Sequence, residues 1–253
     1  MKNETLAVVC SGGGMRCAYA AGALVALAQE CGITHPDIII ASSGSASCAA
    51  YYLTGQYAAL KMIWTKLLST RRFIFLPRVW KMMDIDYLVD QVFVRQAPLH
   101  LGVLANTATR FYIPALDPST KKVRYFSNGE VADILQVLRA AKAIPFYFGR
   151  KVLLQGEYYI DGAIGVSFLE TIHKAQALGA TKIIAIDCHP NAHTQQQFEH
   201  LQQALGDRFV LFRNTRSSAG LLTRSAKKLH ATFEKGYRDV YERKRALKSL
   251  VVL

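Results

Sequence analysis

Residues 38–55 read IIIASSGSASCAAYYLTG. Three isoleucines make a short apolar run that reads as a buried strand, four serines crowd into positions 42–47, and AAYYL reads as the body of a helix. A strand that breaks through small residues straight into a helix is how a serine hydrolase presents its nucleophile. The flanking glycines of the usual G-x-S-x-G are absent. Centring the elbow on Ser43 sets Ala41 two residues before it and Ser45 two after, where strand and helix approach closely and small side chains are needed. Ser42 then falls in the last turn of the strand, and Ser45 and Ser47 fall inside the helix, where a hydroxyl tends to bond back to a carbonyl. Ser43 is the candidate nucleophile, with a helix N-cap as its other reading.

Upstream, the same order of elements occurs. LAVVC (6–10) reads as a strand, SGGGMR (11–16) as a tight loop, and Tyr19 to Gln29 as a small-residue helix that Gly32 ends. A glycine run at a helix N-terminus leaves backbone N–H groups unobstructed where the helix dipole favours negative charge. Phosphate binding and an oxyanion hole both use that arrangement. The spacing is neither G-x-G-x-x-G nor a P-loop, since Gly12, Gly13 and Gly14 are consecutive and no GK[ST] follows.

Downstream, residues 56–100 form a basic, aromatic-rich insertion with helical pieces around KMIWTKLL and DIDYLVDQVF. It carries Trp64, Phe73, Phe75 and Trp80 among Lys66, Arg71, Arg72, Arg78 and Lys81. That mixture suits an interfacial lid or the rim of an acyl pocket, and equally a core beneath a long crossover. RFYIPAL and KKVRYF read as strands turning at Asp117-Pro118-Ser119, and DILQVLRAAKAI as a helix stopped by Pro145. KVLL and EYYI bracket Gln155-Gly156 as a hairpin that leads into Asp161-Gly162-Ala163. Then come helix ETIHKAQALG, strands KIIAID and RFVLF, and a long closing helix over 219–248. Its stripe of Ala226, Leu229, Phe233, Tyr237, Val240 and Leu247 faces inward and its basic residues outward. Helices alternating with continuous apolar strands predict an α/β fold of three layers, α/β/α, around a mostly parallel sheet.

The 253 residues, 51% of them hydrophobic, fit one globular domain. The five cysteines are scattered without a C-x-x-C pair, which points to buried thiols in a reducing compartment. The apolar stretch CAYAAGALVALA is too short to span a bilayer and follows GGGMR, so neither a signal peptide nor a transmembrane segment is read and a cytoplasmic location is expected. The net charge of +13 suits peripheral contact with an anionic membrane surface, or simply a solvated helix face. Nucleic acid is disfavoured, because no recognition motif accompanies the basic residues.

A serine nucleophile needs a base. Of the seven histidines, only His189, at a strand end, is kept in reserve. Asp161 is more suggestive: it follows the strand EYYI and precedes Gly162, so its carboxylate projects from a tight turn.

Together these segments resemble the patatin-like phospholipases, most closely the short bacterial members. SGGGMRCAYAAGAL is similar to the family's G-G-G-x-R loop and first helix, and ASSGSASCAAYYLTG to its G-x-S-x-G elbow. LRAAKAIPFYF is similar to its A-S-x-A-I-P-x-x-F segment, and IDGAIGVSFLETIHKAQALGATKIIAID to its D-G-[GA] loop, helix and strand. The resemblance implies a Ser–Asp dyad without histidine, with Ser43 as nucleophile, Asp161 as base, and Gly12, Gly13 and Gly14 as the oxyanion hole. Arg16 orders the loop, and Gly44 and Gly162 support the two reacting groups. The implied chemistry is acyl transfer from a lipid or other ester substrate, with no metal or cofactor. Ala41 and Ser45 depart from the elbow glycines, and Ser45 is expected to crowd the site. A weak or inactive member that binds lipid or a protein partner is the alternative.

Overall fold

The computed structural model describes residues 4–131, 133–189, 195–215 and 218–251. The strands are β1 (Leu6–Cys10), β2 (Ile38–Ala41), β3 (Arg110–Leu116), β4 (Val123–Ser127), β5 (Val152–Leu154), β6 (Glu157–Asp161), β7 (Lys182–Asp187) and β8 (Phe209–Arg213). Between them run helices α1 (Ala18–Cys31), α2 (Gly44–Leu53), α3 (Tyr57–Met62), α4 (Leu101–Asn106), α5 (Ile134–Ala140), α6 (Phe168–Ala177), α7 (Gln195–Leu205), α8 (Ala226–Glu242) and α9 (Lys244–Val251).

The sheet runs in the order β5-β6-β3-β2-β1-β7-β8, with β4 also paired to β3. From β3 to β8 the neighbours are parallel, whereas β4, β5 and β6 join antiparallel. Alternate residues of the apolar strands point to opposite faces. Val8, Cys10, Ile39 and Ala41 pack under α1, α2, α8 and the insertion, while Ala7, Val9, Ile38 and Ile40 pack under α6 and α7. The three layers expected from the alternation are therefore present.

One register detail positions the site. β4 pairs with β3 over Tyr112–Leu116, so it occupies one whole edge of β3. β2 pairs with Arg110–Tyr112 and β6 with Ala115–Leu116, and both must use the other edge. β2 runs parallel to β3 and β6 antiparallel, so the two strands approach each other head-on along that edge. Pro114, which has no N–H to leave unpaired, lies in the gap between them.

The hairpin at Gln155-Gly156 forms as expected, with φ of 51° and 88°, the left-handed pair that a two-residue turn needs. Gly32 caps α1 in the left-handed conformation. Two helices differ from expectation. The closing segment is not one helix over 219–248: residues 219–224 are non-helical, Ser225 caps α8, and Arg243 separates α8 from α9. The reason is tertiary, since Leu221 O is drawn to Met15 N (3.0 Å) in the glycine loop. Ala226 is accordingly exposed instead of buried. Helix α5 ends at Ala140, well before Pro145, and the chain past it turns so that Ala143 O accepts from Asp161 N at 3.1 Å.

Helices α1 and α8 touch backbone to backbone. A Cβ built on Gly22 would lie 1.9 Å from Phe233 O, and one on Gly236 would lie 2.0 Å from Tyr19 O. Neither backbone can yield without prying the helices apart, so Gly22→Ala and Gly236→Ala should each destabilise by about 1–3 kcal/mol or more. Gly102→Ala, in open space in α4, should be neutral or stabilising by up to about 1 kcal/mol. Thermal melts of the three variants check this.

Candidate active site

Strand β2 is fully buried to Ala41, and Ser42 N extends its ladder by donating to Cys10 O (3.1 Å). Ser43 then adopts φ 53°, ψ −125°, a conformation that costs a non-glycine residue about 1–3 kcal/mol. It stands at the N-cap of α2, yet its hydroxyl caps nothing. Ser43 Oγ instead donates to Asp161 Oδ2 at 2.6 Å. Asp161 arrives from the end of β6, in the gap where β2 and β6 meet, and its other oxygen accepts from Ala163 N at 2.9 Å. Gly162 is required there, because a Cβ on it would lie 2.3 Å from Pro114 O.

The glycine loop lies against this pair. A Cβ on Gly12 would sit 3.1 Å from Ser43 Cβ and 3.2 Å from Ala163 Cβ. Gly14 has φ 56°, and Arg16 grips the Gly13 carbonyl through both its backbone N and its Nε, each at 3.2 Å. In a trans peptide the following N–H points opposite to that carbonyl, so Arg16 aims the Gly14 N–H away from itself. The amides of Gly12, Gly13 and Gly14 donate to no protein acceptor among the described residues. The structure thus brings together Ser43, Asp161, the three glycines, Arg16, Gly44 and Gly162. Gly44 begins α2 where a Cβ would press on Cys17 Sγ at 3.0 Å and Gly14 O at 3.1 Å.

The elbow substitutions are absorbed. Ala41 is wholly buried in the core beneath α1 and α2. Ser45 does not crowd the site: its hydroxyl turns to the back of the elbow and donates to Ser11 O (2.7 Å), tying α2 to the glycine loop. Ser47 bonds back to Gly44 O at 2.8 Å, as a helical serine does.

His189 makes no hydrogen bond to Ser43. Its backbone N donates to Asp187 Oδ1 (3.0 Å), and burial and the nearby Arg16 charge push its pKa below the ordinary imidazole value. Sequence reasoning missed that aspartate. Asp187, at the end of β7, accepts from Ser11 Oγ (3.1 Å) and Arg213 Nε (3.3 Å), and Ser11 Oγ accepts from Cys188 N (2.8 Å), bracing the loop from below. Its place at a strand C-terminus was the available signal. Among the described residues no three His, Cys, Asp or Glu side chains converge as metal ligands.

A second missed residue is Lys142. It lines a narrow cleft that opens beside Ser43 and whose wall is mostly apolar, with Met15, Trp64, Leu68, Phe73 and Leu88 in it and Ser47 as a further polar residue. Burial pushes the Lys142 pKa down to about 8, against the opposing field of Cys48, Asp161 and Cys17. Burial pushes Asp161 up to about 6, opposed by the Ser43 hydroxyl, the Ala163 amide and the Lys142 charge. The aromatic residues of the insertion divide: Trp64 and Phe73 are buried walls of the cleft, Phe75 is half-buried, and Trp80 is 82% exposed.

A family model described as patatin-like phospholipase matches residues 8–170. An uncharacterised protein of Escherichia coli K12, YjjU, is 28% identical over 211 residues, covering 80% of this chain and 57% of that protein. The chain therefore spans little more than half the length of that curated relative. Among solved structures, VipD from Legionella pneumophila superposes with a TM-score of 0.60 at 11% identity, over 97% of this chain and 67% of that one. Human GIVD cytosolic phospholipase A2, bound to methyl γ-linolenyl fluorophosphonate, superposes with a TM-score of 0.54 at 13% identity, over 98% and 59%. At these identities the likeness is one of fold.

A carboxyl whose pKa rises on folding, here from an ordinary 3.8 to about 6, stabilises the fold while protonated and loses that contribution as pH rises through about 6. Asp161→Asn, which keeps the shape without the charge, should raise stability above pH 6 relative to wild type by up to roughly 3 kcal/mol. The gain should vanish near pH 4. Melting temperatures of both proteins across pH 4–8 measure it.

Proposed function

The chain belongs to the patatin-like phospholipase family, and from that premise we propose that it is a serine acyl hydrolase acting on lipid esters, its one sheet forming one acyl-hydrolase domain. The observation that carries the reading is the 2.6 Å hydrogen bond from Ser43 Oγ to Asp161 Oδ2, made by a serine in a strained elbow beside glycine amides with no acceptor among the described residues.

In this reading Ser43 Oγ attacks the ester carbonyl while Asp161 takes its proton. The tetrahedral oxyanion is received by amides of the Gly12–Gly14 loop, which have no competing protein acceptor among the described residues. Collapse expels the alcohol, which Asp161 protonates, and leaves the acyl group on Ser43. Water, deprotonated by Asp161, then attacks the acyl-enzyme and releases the carboxylic acid. The cleft walled by Met15, Trp64, Leu68 and Phe73 takes the acyl chain. Asp161 must be ionised to accept the proton, so activity should rise with pH through about 6. The formed elbow favours this over an inactive lipid- or protein-binding relative, which would not react with a serine-directed probe.

The surface around the cleft suits a membrane. Leu76, Val79, Trp80 and Phe146 are 57%, 59%, 82% and 85% exposed. The backbones of the two segments meet, since Met83 N donates to Tyr147 O at 2.9 Å and Trp80 O lies against Gly149. Arg71, Arg72, Arg150 and Lys151 are exposed beside them, and cleft-lining Phe73, Met83 and Ile144 are close neighbours in the chain. Aromatic groups inserted at headgroup level with cations around them describe an interfacial docking face. No described helix is long and apolar enough to cross a bilayer.

Wild type should react with a fluorophosphonate probe and hydrolyse short-chain p-nitrophenyl esters. Ser43→Ala should do neither, and Asp161→Asn should lose roughly 10²–10⁴-fold in rate. Wild-type turnover in Ser43→Ala would overturn the assignment. Trp80→Ser and Phe146→Ser should each weaken binding to vesicles containing anionic phospholipid by about tenfold, from the lost aromatic burial, while p-nitrophenyl butyrate hydrolysis in solution is unchanged. Sedimentation with vesicles reads the first and initial rates the second.

A further inference from the structure

The cleft beside Ser43 is not purely an alkyl slot. Lys142 is its one cationic lining residue among those described, and it is only 4% exposed. Its ammonium carries three protons, of which one goes to Leu138 O at 3.0 Å. The Phe93 ring lies 6.0 Å from Nζ and supplies only a weak cation–π contact. Asp161 lies near enough to be felt but is not an ion-pair partner, being engaged by Ser43 and Ala163. The second donor is Trp64, whose buried Nε1 has no oxygen or nitrogen acceptor among the described residues and faces only the weak sulfur acceptor of Cys48. Lys142 and Trp64 both line this cleft. Burying an underused ammonium and an indole N–H that has only a thiol beside it costs free energy that an apolar chain would not recover. A ligand that brings an anionic oxygen would satisfy both.

We propose that this cleft selects acyl groups that carry a carboxylate on the chain, received by Lys142 Nζ and Trp64 Nε1–H, so that ω-carboxyacyl esters are preferred to plain fatty acyl esters. The inference rests on Ser43 being the acylated residue for its catalytic consequence, but the binding it describes does not need turnover. Lys142 is a specificity-determining residue here, and Trp64 assists it. Neither position belongs to the Ser43–Asp161 pair, and the residues around Lys142 in LRAAKAI are apolar apart from Arg139, which is committed to Asp86 and Asp90.

The test compares p-nitrophenyl half-esters of adipate, suberate and sebacate with p-nitrophenyl esters of the matching monocarboxylic acids. For at least one length, wild type should favour the carboxylate-ended member by about tenfold or more in kcat/KM, the scale of a charge-assisted hydrogen bond. Lys142→Met should bring that ratio to about one or invert it. Trp64→Phe, which keeps the aromatic wall, should lower it less. A ratio near one in wild type, or an unchanged ratio in Lys142→Met, overturns the proposal while leaving the hydrolase reading intact. If wild type hydrolyses nothing and does not react with a fluorophosphonate, the hydrolase reading fails, and calorimetry still decides the site. Monomethyl suberate should bind Ser43→Ala at least about tenfold more tightly than methyl octanoate does, and equal or absent binding of the two rules the carboxylate site out.

Discussion

The hydrogen bond between Ser43 and Asp161 depends on a single feature of the sheet: two strands sharing one edge of β3 and running toward each other. β2 ends at Ala41 and β6 at Asp161, and the unpaired stretch of β3 between them is the space in which serine and carboxylate meet. Pro114 fits that gap because it has no N–H to satisfy, and Gly162 because its neighbour there is a carbonyl oxygen. The strained φ of Ser43 is held by the ladder before it, the helix after it and the Ser45 hydroxyl behind it. Strain of this kind persists where surrounding structure over-determines the conformation.

Burial gives the pair its electrostatic character. In the low-dielectric interior each ionisable group is pushed toward its neutral form, Asp161 upward and Lys142 downward, and each partly restrains the other through its charge. A carboxylate poised near neutrality is better matched to taking and returning a proton than one at the ordinary value. The glycine loop is likewise prepared in advance. Arg16 fixes the Gly13 carbonyl, and the Asp187–Ser11–Cys188 network supports the loop from the strand ends. The loop is thereby held close against Ser43.

The insertion between α2 and β3 serves both the interior and the surface. Its Trp64 and Phe73 wall the cleft, and its Trp80 stands free in solvent next to Phe146. The segment resists a regular helical description, with π-type turns over Ile63–Leu67 and Tyr87–Gln96. The wider turn of a π segment often marks a functional site. Here the two segments supply Trp64 and Leu88 to the cleft wall.

Much of this was legible in the residues. Apolar strands alternating with small-residue helices gave the layers, because burial on both faces demands continuous hydrophobic runs. Gly12–Gly14, Ser43 and Asp161 stood out because elbows, loops and tight turns restrict residue type locally. The closing helix was misread because its apolar spacing is local, while its true start is set by Leu221 O bonding to Met15 N, over two hundred residues back in the chain. The role of Ser45 was hidden for the same reason: whether a hydroxyl crowds a site or braces it depends on which carbonyl lies behind it. Asp187 and Lys142 passed unremarked because a strand-end aspartate and one lysine in a helix are ordinary in sequence. What the sequence by itself determined was the order of the elements and the small residues at their junctions, which are matters of backbone sterics and hydrophobic period. What only the tertiary structure decided was which charges are taken out of water and which donors are left without acceptors, because desolvation depends on everything packed around a group.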